Sequence, residues 1–175
     1  MRIRTFATFL ILIGAAFAYG TQANTDWIKF TSPEGRFSLL LPQAPKLEVV
    51  TDPTKHNRFS DLSQNSYGFI VEYFDNVTIA DPEKYLDQFR DALVSSIHGT
   101  LVRERKTTLE GYRGRELELS IITDSGAVVL DQTNIYAVGT SFYSMSYVWN
   151  KNVGATLAAK IGEKYFSSIK LTTTK

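Results

Sequence analysis

The sequence predicts an α+β domain: an antiparallel β-sheet sandwiched by two main helices. Three observations point there. Short strands alternate with turns after residue 24, with clean period-two alternation in Glu116–Ile121 and Tyr143–Trp149. Only two segments, Asp81–His98 and Val153–Phe166, carry apolar residues at helical spacing. Successive strands are joined by short turns, whereas a parallel sheet needs a crossover of a dozen residues or more.

The elements follow in order. Trp27–Phe30 and Arg36–Leu41 are short strands around Ser32-Pro33-Glu34-Gly35, with Pro second and Gly fourth as a type I turn favours. Phe37, Leu39 and Leu41 share one face, and Pro42 and Pro45 end the run. Lys46–Val50 is read as a further short strand and Asp52–Lys55 as a loop. Arg58–Ser63 and Tyr67–Phe74 form a hairpin around Gln64-Asn65-Ser66. The second arm is apolar on both faces, so it belongs at the centre of the sheet, covered on both sides.

Asp81–His98 is the clearest helix. Asp81 suits the N-cap and Pro82 the first helical position. Leu86, Phe89, Leu93 and Ile97 make one stripe, and Gly99 is placed at the left-handed cap. A meander of Leu101–Leu109, Tyr112–Ile122, Ala127–Val138 and Thr140–Trp149 follows, with turns at Glu110-Gly111, Asp124-Ser125-Gly126 and Val138-Gly139. Val153–Phe166 carries Leu157, Ile161 and Tyr165 on one stripe, and Ile169–Thr172 is a terminal strand.

The N-terminus has the pattern of an address. Met1-Arg2-Ile3-Arg4 is basic, Thr5–Ala18 is uncharged, and Ala16-Phe17-Ala18 and Thr21-Gln22-Ala23 both satisfy the small-x-small rule. Residues 1–23 are read as a Sec-type signal peptide cleaved after Ala23, with Ala18 as the alternative. The apolar run is too short to span a bilayer, which takes about 20 residues. The expected mature chain, 24–175, is one domain of 175 − 23 = 152 residues. Losing Arg2 and Arg4 lowers the basic count from 19 to 17 against 18 acids. This predicts a periplasmic or secreted protein with no stable membrane anchor after cleavage.

Composition removes several functions. With no Cys there is no disulfide scaffold, thiol-ligated zinc or cysteine nucleophile. A net charge of +1 gives no bulk electrostatic drive toward nucleic acid. Of the two histidines, His98 falls at a helix C-terminus, where a cation is favoured, and His56 is assigned to a surface loop. Neither has a partner at metal-ligand spacing. Residues 61–72 place Asp61, Ser63, Asn65 and Glu72 at calcium-loop positions, but Ser66 replaces the required Gly between strands rather than helices. No Gly-x-Ser-x-Gly, Gly-x-Gly-x-x-Gly or Walker loop occurs, and Ser167-Ser168-Ile169-Lys170 lacks the companion motifs of a serine acyl enzyme. No enzyme, metal or cofactor is therefore expected.

Two constellations remain as candidate surfaces. Arg103-Glu104-Arg105-Lys106 with Arg113 and Arg115 could bind an anion. The preferred account is structural. A two-residue turn at Glu110-Gly111 sets Arg105 opposite Glu116 and Arg103 opposite Glu118, and charge on both faces marks a protected edge strand. Tyr143, Tyr147 and Trp149 share a strand face, as core under a helix or as an aromatic groove for a ligand or partner.

Several weak motifs in a fixed order add a resemblance. They are Trp27-x-x-Phe30, Ser32-Pro33-Glu34-Gly35-Arg36-Phe37-Ser38, Leu41-Pro42-x-x-Pro45-Lys46, Leu86-Asp87, Gly111-x-x-Gly114-Arg115-Glu116 and Phe166-x-Ser168-Ile169-Lys170-Leu171. Across nearly the whole mature chain this resembles secreted bacterial proteins of the PsbP-like superfamily, which includes DcrB-like proteins. The resemblance implies a PsbP-like α/β/α sandwich. It also implies a non-catalytic accessory role, assembling a larger complex or binding a protein partner in the cell envelope. The lipid-anchoring Cys of many such proteins is missing here. A small-ligand carrier with an aromatic pocket between sheet and helix is the alternative.

Overall fold

The computed structural model describes residues 26–172 except 35, 52, 53, 63 and 65. The expected signal peptide, Gly35 of the first turn, Asp52 of the following loop, and Ser63 and Asn65 of the β4–β5 connection lie outside the described residues.

Among the described residues, period-two alternation produces ten strands: β1 (Ile28–Thr31), β2 (Phe37–Leu41), β3 (Lys46–Val50), β4 (His56–Asp61), β5 (Tyr67–Phe74), β6 (Thr100–Leu109), β7 (Tyr112–Ile122), β8 (Val128–Val138), β9 (Ser141–Asn150) and β10 (Lys170–Leu171). Two helices interrupt them, α1 (Pro82–Ser96) and α2 (Ala155–Ser167). Seven strands form one antiparallel sheet in the order β3-β4-β5-β9-β8-β7-β6. The central position expected for Tyr67–Phe74 holds, between β4 and β9 with both faces buried.

One face of the large sheet packs on α1. Leu86, Phe89, Leu93 and Ile97 meet Leu117, Leu119, Ile121, Ile135 and Phe142 there. The Asp81 carboxylate accepts from the N–H groups of Glu83 and Lys84, so the cap forms as expected. The other face is covered by α2 and by a second sheet, ordered β1-β2-β10, that the sequence did not reveal. Phe37, Leu39 and Leu41 of β2 point into this core against Phe59 and Tyr143. All three side chains of one short strand must be buried, so β2 stacks across the core instead of extending the large sheet.

Two local expectations change. The helix ends through His98 (φ 50°) rather than Gly99, where an added Cβ would lie 3.0 Å from the Ile97 side chain. The strand expected from Arg58 begins at His56, which is buried rather than a loop residue. Its ring stacks on Phe74 of the neighbouring strand at 4.3 Å between centroids, a contact no local pattern encodes.

Candidate functional site

The β6–β7 hairpin fixes where the charged residues go. Glu110 (φ 52°) and Gly111 (φ 87°) form a tight two-residue connection, and Leu109 faces Tyr112. Arg105 then faces Glu116 and Arg103 faces Glu118, with one bulge between Leu101 and Arg103. Both pairs close as ion pairs, Arg105–Glu116 at 2.6 Å. Gly114 is held here by closeness: a Cβ would fall 2.5 Å from the Ile135 carbonyl oxygen and 2.5 Å from the Tyr136 ring.

The same register divides the four arginines. Arg103 and Arg105 lie on the face shared with Glu116, Glu118, Ser120 and Ile122. Arg113 and Arg115 lie on the α1 face. Arg115 is buried and contacts Glu83 (2.6 Å) and Asp87 (3.1 Å) of α1 and Glu104 (3.1 Å) of β6. Arg113 and Lys106 also reach Glu83, at 3.7 and 3.1 Å. The Arg115 hydrogen bond, then that of Lys106, lowers the Glu83 carboxyl below its usual range. Glu83 carried no signal in the sequence, and Asp87 and Glu104 stood there only inside the Leu86-Asp87 and Arg103–Lys106 segments, although Glu83 and Asp87 are spaced to share a helix flank. The α1-side arginines are a strut that ties helix to sheet.

Two residues of the aromatic stripe are core, and Trp149 lies at its edge. Tyr143 and Tyr147 are buried. Tyr147 stacks on Trp149 (4.7 Å) and Phe69 (5.4 Å), and Tyr143 packs on Tyr73 (5.1 Å). Burial raises the phenols of Tyr143 and Tyr147. The hydroxyls of Tyr67 and Tyr147 are buried without a hydrogen-bond partner among the described residues.

What the sequence missed is an open strip of sheet. On the face opposite α1, α2 packs over β2 and β9 and reaches Tyr147 and Gln132 through Gly162. Beyond that line the face carries Ile122, Val128, Leu130 and the partly exposed Trp149, bordered by Ser120, Glu118, Arg103 and Arg105. Ile122 is 72% exposed. Arg103, Arg105 and Trp149 thus share one surface, while Arg113, Arg115, Tyr143 and Tyr147 do not reach it.

A buried polar cluster lies on the α1 side of β4, β5, β8 and β9. Glu72 accepts from Arg58 Nε at 2.9 Å and faces His56 Nε2 at 3.3 Å, and His56 Nδ1 donates to the Thr54 carbonyl at 2.7 Å. Beside it, Thr133 donates to Asp131 at 2.9 Å and bonds Ser146 at 2.6 Å. Burial raises the Asp131 carboxyl to about 7. Among the described residues, no group of three or more His, Asp or Glu could hold a metal ion, and no helix is long and apolar enough to cross a membrane.

No protein-family model matches the chain, and no curated protein matches it. Solved structures do. The chain is similar to cyanobacterial PsbP (CyanoP) from Synechocystis sp. PCC 6803, with TM-score 0.59 and 11% identity over 87% of this chain and 98% of that one. It is similar to LpqN, involved in cell envelope biogenesis of Mycobacterium tuberculosis, with TM-score 0.54 and 14% identity over 85% and 91%. It is also similar to the Saccharomyces cerevisiae Ran-binding protein Mog1p, with TM-score 0.51 and 10% identity over 83% and 95%. At such identities the likeness is one of architecture, an α+β fold, which in this chain is built from two helices and antiparallel sheets of seven and three strands. The chain has a PsbP-like fold.

Proposed function

We propose that this chain is a non-catalytic accessory domain that binds a protein partner in the cell envelope, having been exported by a Sec-type signal peptide cleaved after Ala23. The observation that carries the reading is the open strip of β7 and β8. Ile122, Val128, Leu130 and Trp149 form its apolar centre, and the Arg103–Glu118 and Arg105–Glu116 pairs form its rim. An apolar centre with a charged border is the composition of a protein-binding patch. Arginine and tryptophan are the side chains that most often dominate binding energy in such patches. The fold neighbours support the reading: Mog1p is a Ran-binding protein and LpqN is involved in cell envelope biogenesis.

The test is affinity capture from the host's envelope fraction by the protein expressed from its full sequence, beside an Ile122→Asp variant. One stoichiometric protein retained by the wild type and lost by the variant is expected. Equal capture by both places the binding elsewhere.

The buried, unpartnered hydroxyls of Tyr67 and Tyr147 favour a second reading, a carrier whose small polar-ended ligand meets these two groups. A molecule released stoichiometrically on denaturing the purified protein, and lost in Tyr147→Phe, supports it.

A further inference from the structure

The large sheet has two edges, and they differ. β6 is guarded. It carries charge on both faces from Arg103 to Lys106 and is distorted by the bulge after Leu101, both devices that discourage strand addition. β3 has no bulge in its register with β4, and no described strand pairs with its outer side. Leu47 and Val49 stand 47% and 52% exposed on one of its faces. Lys46 and Glu48 stand on the other face, beside Ser60 and Arg58.

We infer that the β3 edge is a docking surface for a second copy of this chain, which joins two seven-stranded sheets antiparallel across a two-fold axis. The occupant follows from charge complementarity. Across such an axis each residue must face one on the same side of the sheet, so only registers centred on a residue are allowed. Centring on Leu47 sets Lys46 opposite the second copy's Glu48 twice, with Leu47 on Leu47 between them. Centring on Glu48 brings two glutamates together, and centring on Val49 pairs no opposite charges. The strand is therefore self-complementary in one register. The contact also extends an existing core: Leu47 lies beside Phe59, whose ring packs on Phe30 of the smaller sheet at 5.4 Å. Leu47 from each copy adds apolar area at that rim, and the outer backbone groups of β3, which no described strand pairs, supply ladder hydrogen bonds.

Sedimentation velocity on the protein expressed from its full sequence, at moderate salt and up to about 0.1 mM, tests this. A concentration-dependent dimer is expected. Lys46→Glu places four carboxylates along the seam and raises the dimer dissociation constant about tenfold. The double variant Lys46→Glu/Glu48→Lys restores opposite charges and returns the constant to near the wild-type value. These side chains are exposed, so circular dichroism should show unchanged folding in both variants. A wild-type protein that stays monomeric, a dimer indifferent to Lys46→Glu, or a double variant as weak as the single overturns the inference.

Discussion

Asp131 is the residue whose replacement says most about the interior. It lies on β8 under the α1 side of the sheet, 2% exposed. Its polar neighbours are the Thr133 hydroxyl, which is shared with Ser146, and the Glu72 carboxylate, itself paired with Arg58 and facing His56. Burial is the largest cause of its raised carboxyl, at about 7 rather than 3.8; the Thr133 hydrogen bond opposes the shift, and the Glu72 charge adds to it. A shift of about three units corresponds to about 4 kcal/mol between the protonated and charged forms. The sign follows from linkage. A carboxyl raised in the folded state stabilises fully below its unfolded value, and that contribution is lost as pH rises toward 7 and beyond. Between pH 5 and pH 8 this one group should cost about 3 kcal/mol of unfolding free energy. Asp131→Asn keeps an oxygen for the Thr133 hydroxyl and removes the titration. Urea unfolding followed by tryptophan fluorescence at both pH values measures the difference. The variant should exceed the wild type by about 1–2 kcal/mol at pH 5, where the unfolded chain has already lost its proton, and by about 4 kcal/mol at pH 8. The gap between the two profiles reports Asp131 together with its interaction with the Glu72 charge. Parallel profiles would refute a buried carboxyl titrating near neutrality.

Other expectations follow from the same geometry. Arg115→Met leaves Glu83, Asp87 and Glu104 facing one another around a buried site and should cost about 2–3 kcal/mol by denaturant titration. Arg103→Met removes an exposed pair and should cost under about 1 kcal/mol. Gly114→Ala drives a methyl into the Ile135 carbonyl and the Tyr136 ring, which should lower stability by about 1–3 kcal/mol. Ile122→Asp should change the unfolding free energy by no more than about 0.5 kcal/mol while abolishing partner capture, because the side chain is exposed.

Most of the fold was legible because the determinants were local. Asp81-Pro82 starts α1, and Glu110-Gly111 sets the register of β6 on β7 residue by residue. That register already held one lesson left unread. With a two-residue turn, odd positions on β6 face even positions on β7, so Arg103 and Arg105 could never share a face with Arg113 and Arg115. The determinants that stayed hidden are not local. His56 joins β4 because Glu72 and Phe74 of β5 receive it, while its own neighbours, Thr54-Lys55-His56-Asn57, look like a loop. The second sheet exists because β10, near the C-terminus, returns to pair with β2. The open strip depends on where α2 stops across the sheet, which no alternation pattern records.

Photocrosslinking in the host tests the central claim most directly. A photoreactive phenylalanine analogue is placed at Ile122 in the open strip, or at the exposed Lys84 of α1 on the opposite side, and the adducts are identified by mass spectrometry. The account predicts one protein adduct of defined mass from position 122 and none of that mass from position 84. The same adduct from both positions, or none from 122, would contradict the assignment of that strip as the partner-binding surface.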